Sequence, residues 1–71
     1  MIKVGQIYFI PYLGGKTVVS WIRNDKTEFA LIRDDGFTFT GSEKDYDWEL
    51  IAEYPTWQEA VNSKEFKGED K

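Results

Sequence analysis

The chain has 71 residues, a formal net charge of −4, and neither Cys nor His. That length makes one domain with a small core, and the missing residue types exclude a disulfide framework, a cysteine- or histidine-based zinc site, and the usual catalytic imidazole or thiol. Three Trp, four Tyr and five Phe make up 17% of the chain; each ring buries roughly 150–250 Å², and that aromatic mass excludes a disordered chain.

The charge is segregated. Residues 1–33 carry five Lys/Arg against two Asp/Glu, and residues 34–71 carry four Lys against eleven Asp/Glu. An acidic half argues against general affinity for a phosphate backbone, which needs clustered cations. Its plain reading is a solvated face that keeps a small protein in solution. Met1-Ile2-Lys3 runs straight into strand-like sequence with no signal-peptide pattern, and no apolar run approaches a membrane span. A cytoplasmic location is therefore expected, with no membrane partner.

Residues 4–12 (VGQIYFIPY) are β-branched and aromatic and read as a first strand. Val4, Tyr8 and Ile10 share one face, Ile7 and Phe9 the other, as in a curved sheet covered on both sides. Gly5 marks a bend, and Pro11 weakens the pairing or places the strand at an edge. After a Gly14-Gly15 turn, residues 16–23 form a second strand. Strict alternation puts Thr17, Val19, Trp21 and Arg23 on one face, with Val18, Ser20 and Ile22 on the other. Asn24-Asp25-Lys26 closes a hairpin into a third strand, residues 27–33, with Phe29 and Leu31 opposite Ala30 and Ile32. Asp34-Asp35-Gly36 suits a tight turn. Residues 37–40 alternate as a fourth strand, with Phe37 and Phe39 inward.

Residues 41–46 are polar and read as a loop with room for one helical turn. Residues 47–54 form the fifth strand, with Trp48, Leu50, Ala52 and Tyr54 toward the core, Glu49 and Glu53 toward water, and Ile51 covered by the helix. Pro55 ends it. Thr56 and Glu59 have capping-box spacing, and Trp57, Ala60 and Val61 make an apolar stripe, so a helix spans about residues 56–62. Ser63 caps one further turn carrying Phe66. Residues 1–66 form the single domain; residues 67–71 have nothing to bury and should fray. The fold class is mainly β with one C-terminal helix: a five-stranded antiparallel meander curling into a small SH3-like barrel, or alternatively an open sheet with a packed helix.

Residues 50–66, LIAEYPTWQEAVNSKEF, resemble the C-terminal signature of small proteins encoded by phages and prophages of lactic-acid bacteria and related Gram-positive hosts. The opening KVGQ (Lys3 to Gln6) followed by Tyr8, and the D-G-F turn at Asp35 to Phe37, are similar to the same proteins. The resemblance covers over a third of the chain and leaves residues 12–33 outside it. It implies a phage origin and a host bacterial cytoplasm, and it carries over no catalytic or binding residue.

No G-x-S-x-G, P-loop or dinucleotide fingerprint is present, and Gly14-Gly15-Lys16-Thr17 lacks the earlier glycine of a phosphate loop. The chain is expected not to be an enzyme and to need no cofactor. Asp34/Asp35 and Asp45/Asp47 fall at turns, where Asp bonds its own backbone; metal binding there is the weaker reading. Trp48, Trp57, Phe29, Phe37, Phe39 and Phe66 fit a core. Tyr8, Tyr12, Trp21 and Tyr46 are harder to hide, and with Arg23 and Arg33 they make the candidate partner-binding set. The expected function is a non-enzymatic interaction module or inhibitor acting on a host or phage protein. One form is an acidic mimic of nucleic acid, which requires Asp34, Asp35, Glu43, Asp45, Asp47, Glu49 and Glu53 along one ridge. The alternative is a barrel that stacks single-stranded bases on Tyr8, Tyr12 and Trp21 beside Arg23 and Arg33; the overall charge disfavours it. A monomer is expected, or a homodimer through an edge strand beside Pro11.

Overall fold

Apolar strands joined by short turns build an open, five-stranded antiparallel sheet in the computed structural model, which describes residues 1–68. The strands are β1 (Gln6–Ile10), β2 (Gly15–Ile22), β3 (Phe29–Arg33), β4 (Thr38–Gly41) and β5 (Glu49–Glu53), in spatial order β4-β3-β2-β1-β5. The first four form a meander, and the chain then crosses back so that β5 pairs with β1. Of the two arrangements expected, the open sheet with packed helices is the one observed. No ladder joins β4 to β5 among the described residues, so the sheet does not close into a barrel. Two short helices follow, α1 (Trp57–Val61) and α2 (Lys64–Lys67), the second being the further turn expected after Ser63.

β1 is shorter than residues 4–12 because Pro11, which has no N–H to give a ladder, begins a 3₁₀ turn, Pro11–Leu13. β1 is also central, paired on both sides. A homodimer edge beside Pro11 is therefore not available; the free edges are β4 and β5.

Two bulges correct the expected alternation. The β2–β3 register shifts between Val19 and Trp21, so Ser20 is the extra residue. Ile22 joins Val19 on one face, and Trp21 pairs with Ala30 on the other. In β5 the register shifts at Ile51, so Leu50 sits opposite Tyr8 and Ala52 opposite Ile7. Leu50 was expected in the core, but this edge position leaves it 53% exposed.

Each face of the sheet carries its own apolar cluster. On one face Tyr8, Ile10, Leu13, Val19, Phe29 and Leu31 are buried, with Tyr46 and Trp48 from the β4–β5 crossover packed over them. On the other, Ile7 and Val18 are buried against Ala60 of α1 and Phe66 of α2. The helices are fixed by their caps. Thr56 Oγ1 accepts from the Glu59 N–H at 3.2 Å, and Ser63 Oγ accepts from the Phe66 N–H at 3.3 Å. A full capping box forms instead at Ser42 and Asp45, around the 3₁₀ turn Glu43–Asp45. The Tyr54 hydroxyl donates to the Glu65 carboxylate and ties α2 to the end of β5. Lys67 is the last residue of α2, with Gly68 as its C-cap; residues 69–71 of the expected tail lie outside the described residues.

Gly5 is the pivot between the N-terminal segment and β1. Its φ is +95°, its N–H donates to the Val19 carbonyl at 2.9 Å, and its carbonyl accepts from the Tyr54 N–H at 3.0 Å. A Cβ here would fall on the Tyr54 carbonyl oxygen. Among the described residues no helix is long and apolar enough to cross a membrane.

Candidate functional site

The chain leaves β1 through Pro11–Leu13, and burying Leu13 beneath the sheet turns Tyr12 outward, where it is 84% exposed. Its ring stacks on Tyr46 with centroids 6.0 Å apart and planes 30° apart. Tyr46 is held from below and behind. Its hydroxyl donates to the Thr40 carbonyl at 3.0 Å, and its ring lies so close to Gly41 that a Cβ there would sit 2.5 Å from it. Trp48 meets Tyr46 edge-on at 5.8 Å and reaches into the core with T-shaped contacts to Tyr8 at 5.3 Å and Phe29 at 5.6 Å. The Trp48 indole N–H donates to the Glu43 carbonyl at 3.0 Å. The exposed Tyr12 ring is thus the outer end of a stack anchored in the core.

Arg33 lies beside this stack. Its Nη1 donates to the Leu13 carbonyl at 2.6 Å, joining the end of β3 to the Tyr12 turn. Its Nε and Nη2 donate to the two Asp35 carboxylate oxygens at 2.9 and 2.6 Å, a bidentate pair. The guanidinium carbon is 5.4 Å from the Phe37 ring centroid and 4.9 Å from that of Phe39. Phe37, expected in the core, is 63% exposed because it precedes β4 and sits in the turn at the sheet's end. Tyr12, Tyr46, Arg33, Phe37 and Phe39 together present an aromatic surface around one fixed cation.

The electrostatics follow from the contacts. Hydrogen bonding by Arg33 holds the Asp35 carboxyl down at about 2, and the same pairing pushes Arg33 up. Burial raises the Tyr46 hydroxyl above its ordinary value, with Asp45 adding to the effect. One carboxylate of each pair weighed as a cation ligand, Asp34/Asp35 and Asp45/Asp47, has a local partner. Asp35 accepts from Arg33, and Asp45 Oδ2 accepts from the Ser42 N–H at 2.8 Å.

Of the six residues expected to bind a partner, Tyr12, Arg33 and Tyr46 come together. Tyr8 does not: it is 6% exposed, and its hydroxyl donates at 2.7 Å to Gln6 Oε1, which also accepts the Lys3 N–H. Burial raises its hydroxyl, with Glu53 and Glu43 adding smaller contributions. Trp21 is 53% exposed, but the Ser20 bulge places it on the opposite face. Arg23 lies just beyond β2 at the hairpin, 3.8 Å from Asp25 and 3.5 Å from Glu28. The five side chains named for base stacking therefore do not share one exposed face. The acidic residues are also scattered: Asp34 and Asp35 lie in the β3–β4 turn, Glu43 beyond the far end of β4, and Glu49 and Glu53 on β5 at the other edge of the sheet. No single ridge gathers them. Phe37 is the participant that sequence reasoning misplaced, and its position directly after Gly36 of the tight turn was the available signal.

No protein-family model, curated protein or solved structure matches this chain.

Proposed function

We propose that the protein is a phage- or prophage-encoded, non-enzymatic interaction module that docks a segment of a host or phage protein on the Tyr12–Tyr46–Arg33–Phe37 surface. The observation that carries this reading is the exposed Tyr12 ring, already stacked on Tyr46. Tyrosine offers a large amphipathic contact at low entropic cost, and a stack set in advance loses little freedom on binding. Tyr and Arg are also the residue types most enriched among energetically dominant contacts. Arg33 is already neutralised by Asp35, so it contributes a planar face and not a free charge. That favours an uncharged, apolar or proline-containing segment over a polyanion. The phage origin and a host-cell cytoplasmic location rest on the resemblance in residues 50–66.

The experiment is capture from phage-infected host lysate, comparing the wild type with a Tyr12→Ala/Phe37→Ala variant. A protein retained by the wild type and lost from the variant supports the reading. Identical retained sets, or retention of single-stranded nucleic acid that depends on Tyr12, would overturn it.

A further inference from the structure

The end of the sheet away from Tyr12 and Phe37 carries a second, unused feature. There residues 1–4, the β2–β3 turn and the 3₁₀ turn Glu43–Asp45 enclose a cleft of about 420 Å³, with Ile2, Ile22 and Phe29 among its apolar lining. A second hollow of about 570 Å³ adjoins it and shares Lys26 and Glu43 with it. Volumes of roughly 300–1,000 Å³ are those of ligand sites. Lys3 and Lys26 border the first hollow, and Lys26 and Lys44 the second, against one carboxylate among the lining residues, Glu43. None of the three lysines is in an ion pair among the described residues.

A second, independent observation points to the same place. Lys26 is the one non-glycine residue with positive φ, +61°, among the described residues. Its N–H donates to the Arg23 carbonyl at 2.7 Å to close the turn. Glycine or asparagine suits that backbone better. A lysine held there, at the junction of both hollows, is local strain located at a concave, cationic site.

We infer that this cleft binds an acidic peptide segment of a partner protein, one apolar side chain resting on Ile22 and Phe29 while flanking carboxylates meet Lys3, Lys26 and Lys44. The apolar lining selects the side chain, and the three ammonium groups select the charge. The chain's net charge of −4 opposes an anionic partner at a distance, so recognition acts at contact range and weakens with salt. This site is separate from the Tyr12 surface and stands or falls independently of it.

The test is a two-dimensional NMR titration of labelled protein with an acetylated peptide carrying one phenylalanine between pairs of aspartates. Shifts confined to the amides of Ile22, Lys26, Phe29 and residues 42–44, and reversed by high salt, support the site. Lys26→Gly keeps the turn and should weaken binding about threefold, as expected for one exposed charge pair. Adding Lys3→Gln and Lys44→Gln should bring the loss to about tenfold or more. No shift at millimolar peptide, an equal response to a lysine-flanked peptide, unchanged affinity in the triple variant, or shifts at Tyr12 and Phe37 instead would each overturn it.

Discussion

Replacing Gly5 with alanine tests whether the N-terminal segment, β1 and the end of β5 are locked together as the contacts indicate. Holding a side chain at φ +95° costs on the order of 1–3 kcal/mol. The added Cβ would also overlap the Tyr54 carbonyl oxygen, which is backbone and cannot rotate away. Relief requires moving one strand, which lengthens the bonds from Gly5 N–H to Val19 and from Tyr54 N–H to Gly5, each worth about 0.5–1.5 kcal/mol. The lower unfolded-state entropy of alanine returns about 0.4–1 kcal/mol. The expected net loss is about 3 kcal/mol. A 71-residue domain has roughly 4–11 kcal/mol in total at about 0.05–0.15 kcal/mol per residue, so the loss is a large share. Urea unfolding followed by tryptophan fluorescence measures it, provided the slope of the transition is unchanged. A loss below about 1 kcal/mol would show that the β1–β5 junction has slack, and would refute the reasoning.

Gly41→Ala should push the Tyr46 ring off its seat and separate it from Tyr12, seen as a change in the ring-current shifts of both rings, because a Cβ there would lie 2.5 Å from the Tyr46 ring. Tyr12→Ala, at an exposed ring, should change stability by no more than about 0.5 kcal/mol in thermal unfolding. The Asp35 carboxyl should titrate at about 2 by NMR and move up toward 3.8 in Arg33→Gln. Since the folded value is the lower one, any stability it contributes is present above about pH 4 and lost as pH falls through about 2. Lys26→Gly exchanges about 1–2 kcal/mol of left-handed backbone cost for about 0.4–1 kcal/mol of unfolded-state entropy. It should raise the melting temperature by roughly 2–6 °C, whereas a decrease would mean that the lysine side chain contributes packing of its own.

The elements with local causes were legible in the sequence. Alternating apolar runs marked all five strands, Asp35-Gly36 marked the β3–β4 turn, and Thr56 and Ser63 marked the helix starts that the structure caps. What escaped was whatever depends on one residue too many or on distant pairing. A period of two has no place for an extra residue, so the bulges at Ser20 and Ile51 moved Trp21 and Ala52 to faces that alternation did not assign. The open edge left by β5 then exposed Leu50, although its neighbours read as a core strand. The candidate site was half legible. Tyr12 follows a proline and precedes two glycines, which is turn chemistry and explains its exposure. The bond from Arg33 to the Leu13 carbonyl spans 20 positions, and nothing local announces it. Tyr8 looked surplus to a small core, yet the crossover carrying Trp48 adds a lid that accommodates its ring.

The most direct measurement compares what the wild type and the Tyr12→Ala/Phe37→Ala variant retain from phage-infected cells, after thermal unfolding has shown both to be folded. The expected result is a protein partner retained by the wild type and lost from the variant. Equal retention by both proteins would contradict the assignment of the aromatic surface as the site of interaction.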